Sequence, residues 1–306
     1  MTHRFGLALL CGLLVLPGVG RAEEGSFCSN GVKIHYYIEG EGEPVLLIHG
    51  FAVNAQLQWG VPGIIKALAK DHRVIALDIR GHGKSDKPTE DKQYGTEMVE
   101  DAVRLLDHLK IKKAHVVGYS MGALITGKLV ASHPDRVLSA TLGGGGVIPA
   151  GAKLPPFVDK VADSLEKGEG MGPLLEALTP PGKPKRSEAA VRAVNRLLVG
   201  DKGKVLAAVV RSWKTLAVPK EQLKANKVPT LALIGANDPL KESVDAVKDC
   251  MGKLKVVVLD DADHMTTFTS PEFVRLVRQF LDKHRRKKTA PAAQTRETQP
   301  SLTPWS

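Results

Sequence analysis

Aromatic side chains make up only 5% of the 306 residues. A surface built to stack bases or to grip an aromatic groove is therefore not suggested, and no nucleic-acid partner is expected. Cysteine is rarer still, three in the chain, which excludes a disulfide-stapled scaffold. None stands at metal-ligand spacing from a histidine, so no metal site is proposed. No internal repeat is present, and no stretch beyond the N-terminus approaches the apolar length of a membrane span. What is there is 43% hydrophobic and 25% charged, the balance of an ordinary globular chain with a large single core. Disordered and collagen-like classes are excluded with it.

The net charge is +10, and its distribution is uneven. Residues 144–226 carry 14 Lys and Arg against 8 Asp and Glu, and residues 282–306 carry 6 against 2; elsewhere the signs cancel. Such patches serve nucleic acid or membrane surfaces in some proteins. Solvated lysine faces and a basic tail are the simpler account.

The first 22 residues read as an export signal. Arg4 is a short positive region, Phe5 to Leu16 an apolar one, and Pro17 ends it. Gly20 and Ala22 supply the small residues for cleavage after Ala22. The apolar run is short for a retained anchor, and Leu10 before Cys11 argues against a lipoprotein cysteine. The expectation is a periplasmic or extracellular protein. Its two remaining cysteines, Cys28 and Cys250, are left either paired or free by the sequence.

After the signal, short apolar runs alternate with helical patterns. The runs are Val32 to Ile38, Pro44 to His49, Arg73 to Asp78, Ala114 to Tyr119, Val137 to Leu142, Thr230 to Ile234 and Leu254 to Leu259. Continuous apolar runs of this length suit strands buried on both faces of a parallel sheet. Helices are predicted at roughly 56–70, 97–110, 121–133 and 271–284. The fold class is therefore α/β, a mostly parallel central sheet with helices on both faces. From Gly143 to about Lys227 no strand is evident. Three helices (157–168, 188–199 and 203–216), separated by proline clusters, suggest a helical cap or lid at 144–226. It divides the core into 23–143 and 227–284. Residues 285–306 read as a flexible basic tail, too poor in apolar side chains to order itself.

Gly118-Tyr119-Ser120-Met121-Gly122 directly follows one predicted strand and directly precedes a helix. A sharp strand-to-helix turn exposes the serine, and the helix N-terminus aims N–H groups at a developing oxyanion. A serine nucleophile needs a base, and the base needs a group to orient it. Asp238 follows the strand at 230–234 and His264 the strand at 254–259, so all three groups converge on one sheet edge. His49-Gly50-Phe51 ends an early strand, and the N–H of Phe51 joins that of Met121 as a candidate oxyanion donor. Asp78 to Ser85, D-I-R-G-H-G-K-S, closes the next strand.

With these four motifs in order, the chain resembles the α/β-hydrolase superfamily over about residues 31–283. The likeness is to the branch of serine esterases, haloperoxidase-like enzymes and epoxide hydrolases. It implies a Ser120–His264–Asp238 triad working without metal or organic cofactor on a small-molecule ester of small or medium size. Ser120 at the elbow sets the chain apart from dehalogenases and epoxide hydrolases, which use an aspartate there. Phe51-Ala52-Val53 lacks the small residue common in carbon–carbon bond hydrolases. That activity, a perhydrolase, an acyltransferase on the same triad, and a non-catalytic binding protein of the same fold are the alternatives.

Other prominent residues have structural readings. His49 buttresses the oxyanion loop, Asp78 and Arg80 fix a turn by ion pairing, and His82, Trp59 and Trp213 pack. Asp261 and Asp263 could replace Asp238 but lie too close in sequence to His264 to face its far ring nitrogen. The positive excess of the cap would favour anionic or amphiphilic esters.

Overall fold

The computed structural model describes residues 22–286. Within them, eight strands form one sheet: β1 (Glu23–Ser29), β2 (Val32–Glu39), β3 (Glu43–Ile48), β4 (His72–Leu77), β5 (Ala114–Tyr119), β6 (Val137–Gly143), β7 (Thr230–Gly235) and β8 (Leu254–Leu259). Their order is β1-β2-β4-β3-β5-β6-β7-β8. The first two strands and the β2–β4 pair are antiparallel, and every pairing from β4 onward is parallel. The helices are α1 (Ile64–Leu68), α2 (Thr96–His108), α3 (Met121–Ser132), α4 (Phe157–Glu166), α5 (Gly172–Ala177), α6 (Glu188–Val194), α7 (Gly203–Ser212), α8 (Lys220–Lys224), α9 (Lys241–Lys248) and α10 (Pro271–Lys283). The expected α/β sheet, mostly parallel and covered on both faces, is the observed architecture.

Side-chain alternation assigns the two faces. In β3, Leu46 and Ile48 join the core beneath α2 and α3, whereas Val45 and Leu47 join the one beneath α1 and α10. Both sets are buried, which is why the strand reads as an unbroken apolar run.

β1 went unread because Glu-Glu-Gly-Ser carries no apolar pattern. Its hairpin to β2 turns at Asn30-Gly31, both at positive φ, and that dipeptide is the signal that would have found it. The helix expected at 56–70 is broken. A π-helical turn at Gln56–Gly60 gives way to Pro62-Gly63, with Gly63 left-handed, before α1 begins. α5, α8 and α9 were also unread; at 5 to 8 residues they offer little periodicity.

The strands stop at Gly143 and resume at Thr230, with α4 to α8 between them. α4 buries Val158, Val161, Ala162 and Leu165 along α7, the spacing of one helical face. The two ends of this insertion meet. Val218 N donates to Ile148 O at 2.8 Å and Ala150 N to Val218 O at 2.7 Å.

Cys28 and Cys250 are both free thiols, one on β1 and the other beyond α9 at the opposite side of the sheet. The signal reading of residues 1–22 lies outside the described residues apart from Ala22, and so does the tail apart from Arg285 and Arg286. Of these, Arg286 pairs with Glu43 at 2.8 Å.

Candidate active site

Ser120 sits between β5 and α3 at φ 55°, ψ −116°. A serine rarely adopts that geometry, and the surrounding glycines explain why it can here. A Cβ on Gly118 would fall 2.0 Å from the Gly122 carbonyl oxygen, and one on Gly122 would fall 2.1 Å from that of Ile48. Only hydrogen fits at either point, so the turn can fold back this tightly. Ser120 N donates to Gly143 O at 2.8 Å, tying the turn to β6.

His264 comes off β8 and brings Nε2 to 3.0 Å from Ser120 Oγ, while its Nδ1 lies 2.9 Å from Asp238 Oδ2. Asp238 comes off β7 and uses its other oxygen to accept from Leu240 N at 2.9 Å. Both Asp238 and His264 are buried. Asp263 does not face the imidazole: its carboxylate accepts from Met265 N, Thr266 N and the Thr266 hydroxyl. Asp261 occupies a left-handed turn position.

Sequence reasoning missed one contact. The Tyr119 hydroxyl donates to the His264 carbonyl at 2.7 Å. Burial pushes this phenol well above its ordinary range, so it remains a donor throughout the physiological interval. Its place beside Ser120 in the pentapeptide hints at proximity, but nothing in the sequence pairs it with residue 264.

The loop after β3 is held from behind. His49 Nε2 accepts from Ile79 N at 3.0 Å, so Nδ1 carries the proton and donates to Gly50 O at 2.7 Å. Gln58 accepts from Gly50 N, and His82 Nε2 accepts from Ala52 N at 3.1 Å. Burial, and then the neighbouring His49, pushes the His82 imidazole down to about 3. Burial also lowers His49. Both rings are neutral struts for the loop. Between the braced Gly50 and Ala52 amides, that of Phe51 donates to no described residue, and neither does that of Met121 at the start of α3.

Asp78 and Arg80 are buried with separate partners. Asp78 accepts from Ala55 N and Lys84 N, each at 2.9 Å. Arg80 grips Asp101 of α2 through Nε and a terminal nitrogen, both at 2.6 Å. The ion pairing expected within the turn is therefore not what fixes it: Asp78 holds the turn through backbone amides, and the ion pair of Arg80 joins the loop to α2 instead. Trp59 is wholly buried among α1 and α10 contacts, whereas Trp213 packs edge-on against Phe51 and lines the cavity above Ser120.

That cavity holds about 310 Å³, at the lower end of small-molecule sites. Phe51, Met121, Ser120 and His264 form its floor, and the insertion supplies most of its apolar wall, with Ile148, Phe157, Met171 and Leu178 among the contributors. Arg186 brings the only permanent charge to the lining and spends one nitrogen on Leu175 O and the Thr179 hydroxyl. The positive excess of 144–226 therefore lies largely outside the pocket, contrary to its expected part in selecting the ester.

A family model described as alpha/beta hydrolase fold matches residues 43–171. That match, together with the strand order and the serine turn, decides the assignment. The chain has the α/β-hydrolase fold and is similar to that superfamily. This hydrolase is 28% identical over 291 residues to the 2-hydroxymuconate semialdehyde hydrolase of a Pseudomonas species, covering 87% of this chain and 94% of that one. It is 26% identical to the (E)-2-((N-methylformamido)methylene)succinate hydrolase of Acinetobacter baylyi, over 80% and 92% of the two chains. Among solved structures, a meta-cleavage product hydrolase variant from Pseudomonas fluorescens superposes with a TM-score of 0.68 at 25% identity. That superposition covers 85% of this hydrolase and 97% of its neighbour.

Proposed function

We propose that this hydrolase cleaves carboxylic esters through an acyl-enzyme on Ser120. In this reading Ser120 Oγ attacks the acyl carbon while His264 Nε2 takes its proton. Asp238 fixes the imidazole tautomer and stabilises the imidazolium. The Phe51 and Met121 amides receive the oxyanion, preorganised by the bracing described above. His264 returns its proton to the departing alcohol oxygen. A water, deprotonated by the same ring, then adds to the acyl carbon and releases the acid with Ser120 restored. The reaction as written needs neither metal nor organic cofactor.

The observation that carries this reading is the unbroken line from Asp238 through His264 to Ser120, opening on an apolar cavity with two free amides at its floor. Carbon–carbon bond hydrolysis on the same residues is the second reading, favoured by the likeness to the 2-hydroxymuconate semialdehyde hydrolase. A fluorophosphonate probe, followed by a panel of esters of increasing acyl length, tests the first. A single adduct on Ser120 and ester turnover abolished by Ser120→Ala support it. An adduct with no ester turned over, but a vinylogous diketone cleaved, would transfer the assignment to the second. An equally active Ser120→Ala would sink both.

Export is also part of this proposal. Cleavage after Ala22 would leave Glu23, the first residue of β1, as the mature N-terminus. N-terminal sequencing of the protein from its native host is expected to read Glu-Glu-Gly-Ser; an intact Met1 in the cytosol would overturn it.

A further inference from the structure

Five large hydrophobic side chains are exposed among the described residues: Leu57 (41%), Val61 (76%), Leu197 (75%), Val258 (40%) and Met265 (50%). Val258 lies on the edge strand β8. Leu57, Leu197 and Met265 gather around one opening. Leu57 and Met265 line the cavity over Ser120. Leu57 and Leu197 face a second hollow of about 250 Å³, which shares Val53, Leu57 and Leu198 with that cavity. Val61 lies one turn beyond Leu57 on the same π-helical segment. Isolated exposed apolar residues are common, but a cluster at a site entrance marks a surface that meets something apolar.

Several cations on the insertion's side of this rim lack an ion-pair partner. Lys185, Arg192 and Arg211 of the insertion are neutralised by Glu176, Glu188 and Glu166. Arg186 in the cavity wall, Arg196 beside Leu197 and Lys202 in the second hollow form no ion pair among the described residues. Burial and the nearby Lys87 hold the Lys202 ammonium below its ordinary range, only partly offset by Asp201. Apolar side chains ringed by unpaired cations fit an assembly with an apolar interior and an anionic surface.

We propose that this rim docks on an anionic lipid surface and delivers amphiphilic substrates from it into the cavity. The delivery half rests on the ester reading above; the docking half does not. The positive excess of residues 144–226 thereby has a use that the apolar pocket wall denies it. The partner is recognised by its headgroup charge and the substrate by its chain.

The test is co-sedimentation of the purified mature chain, beginning at Glu23, with unilamellar vesicles, either phosphatidylglycerol mixed equally with phosphatidylcholine or phosphatidylcholine alone. Capture by the anionic vesicles is expected to exceed capture by the neutral ones at least tenfold, and to fall as salt rises. Val61→Ser/Leu197→Ser should lose about tenfold in capture while hydrolysing a soluble short-chain ester as the parent does. Arg196→Glu should lose a similar factor on anionic vesicles only. Ser120→Ala should bind as well as the parent, which separates docking from catalysis: if no ester is ever hydrolysed, vesicle capture still stands or falls alone. Equal capture by both vesicle types, or an unaffected Val61→Ser/Leu197→Ser protein, would overturn the proposal. Concentration-dependent dimerisation abolished by that double variant, without vesicle capture, would assign the rim to a second copy of the chain.

Discussion

Replacing Asp238 by Asn removes one charge and almost no volume, and the surrounding contacts dictate which way the amide points. Asp238 Oδ1 accepts from Leu240 N, and Oδ2 faces His264 Nδ1. In Asp238→Asn the amide oxygen must keep the Leu240 bond, because an NH₂ group there would meet another donor. The NH₂ is thus turned toward Nδ1, which must then accept. The proton moves to Nε2, the atom 3.0 Å from Ser120 Oγ, and the ring can no longer take the serine's proton. Loss of the correct tautomer costs about 10⁴ in kcat in serine hydrolases, equivalent to about 5 kcal/mol of barrier. Steady-state hydrolysis of a soluble chromogenic ester should show that loss, with circular dichroism and the melting temperature little changed. Asp263→Asn, whose carboxylate serves a turn, should lose less than threefold. A folded Asp238→Asn protein within tenfold of the parent, or an Asp263→Asn protein as crippled as expected for Asp238→Asn, would refute the assignment.

Three further outcomes follow from the buried groups. His82 titrates near 3 in the folded chain against about 6.5 when unfolded. The unfolded state therefore binds the extra proton first, and stability is lost as pH falls from about 6.5 toward 3, at up to about 1.4 kcal/mol per pH unit. Urea melts at pH 7.5 and 5.0 should differ by about 2 kcal/mol from this ring alone, and identical curves would contradict its neutral burial. Gly122→Ala places a Cβ against the Ile48 carbonyl and should cost about 3 kcal/mol together with most of the activity, read by thermal unfolding and ester assay. Arg80→Leu strands the buried Asp101 carboxylate and should destabilise by about 3–5 kcal/mol. Restoration of the melting temperature in Arg80→Leu/Asp101→Leu would verify that the loss came from the orphaned charge.

Much of this was legible in the chain because the strands carrying the site are buried on both faces. Such strands write themselves as apolar runs, and Ser120, Asp238 and His264 each stand just beyond one. The G-x-S-x-G spacing was readable because steric exclusion acts between residues close in sequence. Long-range partners were not. Asp101 lies on α2 in a pattern that any amphipathic helix could show, and only the folded chain delivers its carboxylate to Arg80. Tyr119 reads as one more residue of a buried strand until β8 brings the His264 carbonyl to its hydroxyl. The charge of the insertion was countable, but whether it faced the pocket or the solvent depended on how α4 to α8 turn, which short helices separated by prolines do not reveal.

The pinched base of the insertion has a consequence for how such an enzyme can change. Ile148, Ala150 and Val218 hold the two stems side by side, and β6 and β7, which feed them, are neighbours in the sheet. The stretch from 151 to 217 therefore leaves and rejoins the scaffold at nearly the same place, as a domain with adjacent termini does. It can be exchanged as a cassette: the walls of the pocket travel with it, while the reacting groups stay behind on strands that never part. The pocket wall and the reacting groups can therefore be altered independently of one another.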